Sequence, residues 1–425
     1  MRGITHDPLE SVRGLQQLLI SDKKRIGFLF GAGTSLAKKK NCNTKTIPAI
    51  GEMTKIIEDK LSANPAYKEA IKQIKEEIEE NHYNVESFLS NIESKASIIG
   101  NGKLNGLTKD DFSQLILETK KEIIEIVSIH KEILKDNCLG DLIHIDFAEW
   151  IGRANRRYPI EIFTTNYDFL FEIGLEKKAI PYYDGFTGSF EPFFNSDSVE
   201  KLDFLPNQTK LWKIHGSLGW KLDDKSKRVL RKEPTKEDIL IYPSILKYNN
   251  SRKQPYIALM DRLSNYIKQP DTILIVCGYS FGDEHINERI LTALKSNVLA
   301  HVYVFYYDKY WDNKERGYTL TEDSYIVNLA KENSNLSVFG CRNAIIGSQY
   351  GLWKLKKEPD KEDTININLY FDEDGPVNEN EEKNVENLGT EKYSGEGELI
   401  LADFASFTKF IKSMICNTKG ESNDY

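Results

Sequence analysis

Four short strand-like runs punctuate the chain, at residues 26–30, 160–163, 210–213 and 273–277, and each stops at a cluster of Gly, Ser, Thr, Asn, Asp or His. Runs of that length bounded by turn-forming residues predict buried strands rather than helices. Residues 301–306 predict a further strand, separated from 271–277 by a helix over about 284–295. That βαβ spacing implies a right-handed crossover in a parallel sheet.

Between the first two strands the period changes. Ile71, Ile74 and Ile78 recur three and four apart, as do Ile123, Val127, His130 and Leu134, which puts each set on one face of a charged helix. The stretch from about 51 to 150 is too long for a simple βα connection and reads as an inserted helical subdomain. Residues 8–20 predict a short helix leading into the first strand, 182–188 a turn-rich loop, 223–237 an exposed polar excursion and 239–243 a short extended piece.

Beyond about residue 353 the chain turns acidic and poorly apolar at 358–363, 372–374 and 378–386. Helical periodicity returns over 399–415 through Phe404, Phe407, Phe410 and Ile411. A terminal amphipathic helix of this kind docks either on its own body or on a partner. The predicted architecture is α/β: a Rossmann-like parallel sheet built from residues 1–50 and 151–345, a helical subdomain at 51–150, and a C-terminal extension at 346–425.

Composition narrows the function. A chain of 425 residues with 40% hydrophobic content can build a full core. Its net charge of −8 argues against nucleic acid as the main ligand, because backbone binding needs a concentrated basic surface. No apolar run approaches the roughly 20 residues that span a bilayer, and the first residues carry no signal-peptide pattern. The expectation is a soluble, cytoplasmic protein. The five cysteines, Cys42, Cys138, Cys277, Cys341 and Cys416, are scattered without a Cys-x-x-Cys pair, so no metal site is expected.

In open α/β sheets ligands bind outside the carboxyl ends of the strands, so four polar motifs placed there should converge on one site. Gly31-Ala32-Gly33-Thr34-Ser35 follows the first strand, and such a turn aims backbone N–H groups at a phosphate. It lacks the third glycine of the dinucleotide fingerprint. Thr165-Asn166-Tyr167-Asp168 follows the second strand, Ile214-His215-Gly216-Ser217 the third, and Gly278-Tyr279-Ser280-Phe281-Gly282-Asp283 the fourth. Asn166 both donates and accepts without titrating, and His215 carries the side chain that titrates nearest neutral pH. Asp168 either orients Asn166 or caps the helix that follows, while Ser280 and Asp283 serve either a ligand or an ordinary strand-to-helix turn. His130, His144 and His285 read as structural, with His130 a packed and hydrogen-bonded ring.

Taken together, the four motifs resemble the NAD site of the sirtuins, in family order from residue 26 to 291. The resemblance implies NAD as substrate, held by Gly31, Ala32, Gly33, Thr34, Ser35, Thr165, Asn166, Asp168, Gly278, Ser280, Phe281 and Asp283. It implies that Asn166, His215 and Asp168 are catalytic, with Asn166 positioning ribose and water and His215 acting as base. Two departures stand out. Where deacetylase sirtuins carry Pro-Asp-Phe-Arg this chain has Ile47-Pro48-Ala49-Ile50, and the zinc cysteines are missing.

Asp184-Gly185-Phe186, Ile241-Tyr242-Pro243-Ser244 and the residues after Gly278 further resemble the sirtuin-like effectors of bacterial antiphage defence, which hydrolyse NAD. Chain size and the short extension are most similar to the subunit that pairs with a HerA-type hexameric ATPase. The implied activity is NAD glycohydrolysis, with a protein deacylase or a non-catalytic NAD-binding scaffold as alternatives. A hydrolase without its own sensor domain should form a homo-oligomer and stay latent, with residues 51–150 as gate and 399–415 as the contact to a partner.

Overall fold

The computed structural model describes residues 3–39, 45–79, 82–135, 138–154, 156–223, 225–234, 240–241, 254–312, 315–360, 363–374 and 394–415. Cys42, Cys416, residues 242–244, the acidic run 378–386 and parts of 223–237, 239–243 and 358–363 lie outside them. The chain divides into two compact units, Met1–Leu29 with Asp146–Ile160 and Tyr266–Tyr425, and Phe30–Ile145 with Glu161–Asn265. The architecture is mixed α/β with a largely parallel sheet.

In the first unit the strand order is Thr5–His6, Gln349–Trp353, Asn343–Ile346, Leu336–Phe339, His301–Phe305, Thr272–Cys277 and Arg25–Phe30. Thr272–Cys277, His301–Phe305 and Leu336–Phe339 run parallel, with helix Glu284–Ser296 between the first two as the βαβ spacing predicts. Every residue of Thr272–Cys277 is buried, the pattern of a strand covered on both faces. Asn343–Ile346 and Gln349–Trp353 then turn back as an antiparallel meander around Gly347, at φ +58°. The hydrophobic pattern of the sequence predicts no strands there.

The terminal helix Phe404–Ser413 belongs to this unit, its N-terminus capped by Asp403. Phe404, Phe407, Phe410 and Ile411 are all buried, and the Phe407 ring meets Phe28 and Phe305. Lys412 adds an ion pair to Asp146 at 2.9 Å. The apolar face read as a possible partner contact is thus consumed by the helix's own body, because covering four large side chains at home already removes their surface from water.

In the second unit Glu161–Thr164, Thr209–Lys213 and Tyr182–Tyr183 form a parallel group, Thr209–Lys213 in the middle. A small antiparallel sheet follows, ordered Phe186–Thr187, Phe193–Phe194, Val229–Arg231, Trp220–Leu222. Helices Ile50–Leu61, Pro65–Glu77, Val85–Ile98 and Lys109–Val127 carry the periodic stretch. Their starts follow from sequence: Asn64 caps ahead of Pro65, and Asn84 and Thr108 open capping boxes with Ser87 and Asp111. Ile71, Ile74, Ile123 and Val127 join one buried cluster that also holds Leu170, Ile173 and Leu218. Ile78 is only partly buried, just past the end of its helix at Glu77, and Leu134 is exposed on a separate short helix, His130–Lys135, that buries Ile133 instead.

Candidate active site

The second unit brings two of the motifs into direct contact. Thr165 N–H donates to Phe30 O at 3.0 Å, which sets the turn after Glu161–Thr164 beside the turn at Gly31–Ser35. Asn166 is buried, and its Nδ2 lies 3.1 Å from Gly31 O, 3.1 Å from Thr34 Oγ1 and 2.8 Å from Ser35 Oγ. The hydroxyl protons fix the orientation of this amide. Thr34 Oγ1 donates to Gly31 O and Ser35 Oγ donates to Asp168 Oδ2 at 2.6 Å, so both hydroxyls can only accept from Asn166. The group facing them is therefore the NH2, and among the described residues none donates to Asn166 Oδ1.

Asp168 makes two side-chain contacts. Oδ2 receives the Ser35 proton, and Oδ1 accepts Leu170 N–H at 2.9 Å, at the first residue of helix Leu170–Lys177. His215 is buried in the turn just beyond Thr209–Lys213. Two backbone bonds bracket it: Ile214 N–H donates to Thr164 O at 2.8 Å and Leu218 N–H to Tyr167 O at 3.0 Å. Gly216, at φ +96°, turns the chain immediately after His215 in a conformation that favours glycine.

Sequence reasoning passed over the charged groups beneath this surface. Lys213 is 3% exposed, and its Nζ contacts Asp168 O, Tyr167 O at 3.3 Å and Glu172 Oε1 at 2.7 Å. Burial pushes the Glu172 carboxyl up, and Lys213 opposes that rise. Deeper, Glu161 receives Arg262 through Nε at 3.0 Å and Nη2 at 2.6 Å, together with Trp212 Nε1 at 2.8 Å. The available signal was charge inside strand runs, Glu161, Lys210 and Lys213 among buried neighbours.

Two of the three histidines set aside as structural, His144 and His130, are packed against aromatic rings. His144 is 1% exposed with its ring edge against Phe171 at 4.6 Å, and burial pushes its pKa down to about 4. His130 meets Phe169 at 5.0 Å and is likewise lowered to about 4 by burial. Its Nδ1 is buried with no hydrogen-bond partner among the described residues, so it is packed but not hydrogen-bonded there as its sequence position suggested. Tyr167, next to Asn166, bonds through its hydroxyl to Glu86 in the first turn of Val85–Ile98.

The fourth motif lies in the first unit. Gly278 takes φ +67° and Phe281 φ +59°, a strained value for a side-chain-bearing residue. Asp283 caps helix Glu284–Ser296, with Oδ1 accepting His285 N–H at 3.0 Å and Ile286 N–H at 3.4 Å. Asn287 Nδ2 donates to Phe281 O at 2.8 Å and holds the turn, while Ser280 is exposed. Oδ1 of Asp283 is thereby engaged by its own helix, the ordinary turn role that its sequence position allowed beside a ligand role.

Among the described residues no helix is long and apolar enough to cross a membrane. No curated protein matches the chain. Residues 160–329, which include the Asn166, His215 and Gly278 motifs, match the family of the SIR2-like domain, and that match supports a sirtuin-like, NAD-related protein.

Proposed function

We propose that the chain is an NAD glycohydrolase, releasing nicotinamide and ADP-ribose in bacterial antiphage defence. The supporting observation is the locked Asn166 amide: its NH2 is held by Gly31, Thr34 and Ser35, leaving Oδ1 to accept from a ribose hydroxyl or the attacking water. The donor set fits NAD. An amide oxygen beside a glycine turn suits a sugar hydroxyl, with the Thr34 and Ser35 hydroxyls holding that amide in place. Gly31, Ala32, Gly33, Thr34, Ser35, Thr165, Asn166, Asp168, Gly278, Ser280, Phe281 and Asp283 are the proposed binding residues.

NAD supplies the bond between ribose and nicotinamide that is broken. Asn166 orients, Asp168 holds Ser35 and through it Asn166, and His215 takes the proton that water releases as it replaces nicotinamide. Ile47-Pro48-Ala49-Ile50, without the acidic and basic side chains of the deacetylase motif, favours water over an acyl-lysine as acceptor. We assign the chain to the cytoplasm as a homo-oligomer working with a HerA-type ATPase. The helices of residues 51–150, tied to the site by the Tyr167–Glu86 bond, would then gate it. Incubation with NAD, with and without acetylated peptide, is the test. Free ADP-ribose in both arms supports hydrolysis, acetyl-ADP-ribose marks a deacylase, and binding without product marks a scaffold.

A further inference from the structure

We infer that Lys213 is a positioning residue, whose ammonium fixes the turn carrying Asn166 and Asp168 against the strand end carrying His215. The inference rests on the function proposed above and deepens it. Lys213 is the last residue of strand Thr209–Lys213, and His215 follows two residues later in the turn that leaves the strand. The three Lys213 contacts, Tyr167 O, Asp168 O and the Glu172 carboxylate, all come from the segment just beyond Asn166. An ammonium has three donors, so each is committed and the group has one place to sit.

The backbone alone does not supply this tie. Ile214 and Leu218 N–H groups reach Thr164 O and Tyr167 O, but the helix that begins at Leu170 first uses Phe169 O, through Ile173 N–H at 2.9 Å. Among the described residues, the donor that reaches Asp168 O is Lys213 Nζ. A buried carbonyl left without a donor shifts towards another partner or water. Such a shift would move the residue whose side chain holds Ser35, and with it the Asn166 amide. Displacement of about 1 Å at a reacting centre can cost on the order of a hundredfold in rate. Arginine cannot stand in, because its planar fork is longer and cannot gather three acceptors around one nitrogen.

The test uses the full chain and four variants: Lys213→Met, Lys213→Arg, Glu172→Gln, and Lys213→Met combined with Glu172→Leu. The double variant removes both charges, so no unpaired buried ion is left to unfold the protein. Expected for Lys213→Arg and the double variant is a fall in kcat of about a hundredfold with KM for NAD changed less than about threefold, and faster amide hydrogen exchange over residues 166–169. Glu172→Gln keeps an acceptor for the ammonium and should lose at most a few-fold. A double variant that stays folded with wild-type kcat and wild-type exchange would overturn the inference, leaving Lys213 only to balance Glu172. Should the wild-type chain cleave no NAD, the functional reading fails separately, and the exchange rates over 166–169 still decide whether Lys213 holds the turn.

Discussion

The Asn166 amide donates to Ser35 Oγ at 2.8 Å, and that same hydroxyl hands its own proton to Asp168 Oδ2 at 2.6 Å. Asn166 is in this way oriented by a carboxylate it does not touch. Asn166→Ala should cut NAD cleavage by about a hundredfold to a thousandfold, the usual cost of one preorganised polar group. Melting temperature should change little, because the side chain serves the turn and not the apolar core. Wild-type turnover in a well-folded Asn166→Ala protein would remove it from the mechanism.

The backbone around His215 is tied to the segment that carries Asn166, through Ile214 N–H to Thr164 O and Leu218 N–H to Tyr167 O. Replacing His215 with Ala should lower kcat and flatten the acid limb of the pH–rate profile, since a general base must be unprotonated to act. An acid limb identical to wild type would show that water needs orientation here and not deprotonation.

The strands that carry the site were legible because buried strands ending at polar clusters have few alternative readings. The runs expected at 26–30, 160–163, 210–213 and 273–277 form the strands Arg25–Phe30, Glu161–Thr164, Thr209–Lys213 and Thr272–Cys277. The Asn166, Ser35 and Asp168 contacts could be anticipated only as neighbours, because hydroxyl directions depend on both turns being in place. Lys213 escaped notice since a lysine in a strand usually faces water, and only burial beside Asp168 O reveals what it holds. The antiparallel strands Asn343–Ile346 and Gln349–Trp353 were missed because their four- and five-residue patterns carry little periodicity.

His144 gives the fold a pH dependence whose sign follows from burial. Its pKa drops from 6.5 to about 4 in the folded chain, with burial as the main cause and Asp168 acting weakly against it. The unfolded chain therefore binds the extra proton between about pH 6.5 and 4, so stability is full above that window and declines as pH falls through it. A tenfold loss of proton affinity on folding is equivalent to about 1.4 kcal/mol, which makes His144 worth a few kcal/mol across the window. Melting curves from pH 7.5 to 4 should steepen in loss below 6.5, and His144→Phe should flatten that slope. An identical slope would assign the acid sensitivity elsewhere.

Arg262 and Glu161 form a buried, two-point ion pair under the sheet, and Arg262 Nη1 also reaches Val199 O at 3.0 Å and Lys201 O at 2.8 Å. Arg262→Met should destabilise the chain by about 3–5 kcal/mol, because it strands a buried carboxylate and several carbonyls. Glu161→Gln should cost less, as the amide still accepts one of the guanidinium bonds. Denaturant titration orders the two variants, and equal costs would indicate that the charge of Glu161 matters more than the carbonyls.

The terminal helix offers the sharpest contrast between a partner surface and a core. Phe407 is fully buried, with its ring centroid 5.0 Å from Phe305 and 6.3 Å from Phe28. Truncating a buried Phe typically costs about 3–5 kcal/mol through lost transfer energy and the cavity left behind. Phe407→Ala should therefore lower the denaturation midpoint of the isolated chain, with no partner present. A helix held in reserve for a partner would behave oppositely: the isolated chain would keep its stability, and only complex formation would weaken. Lys412→Ala provides the control, since its partly exposed pair with Asp146 should contribute under about 1 kcal/mol. A large loss for Phe407→Ala beside a small one for Lys412→Ala would establish that apolar packing, and not charge, anchors this segment. Equal and negligible losses would return the helix to the role of a free contact surface.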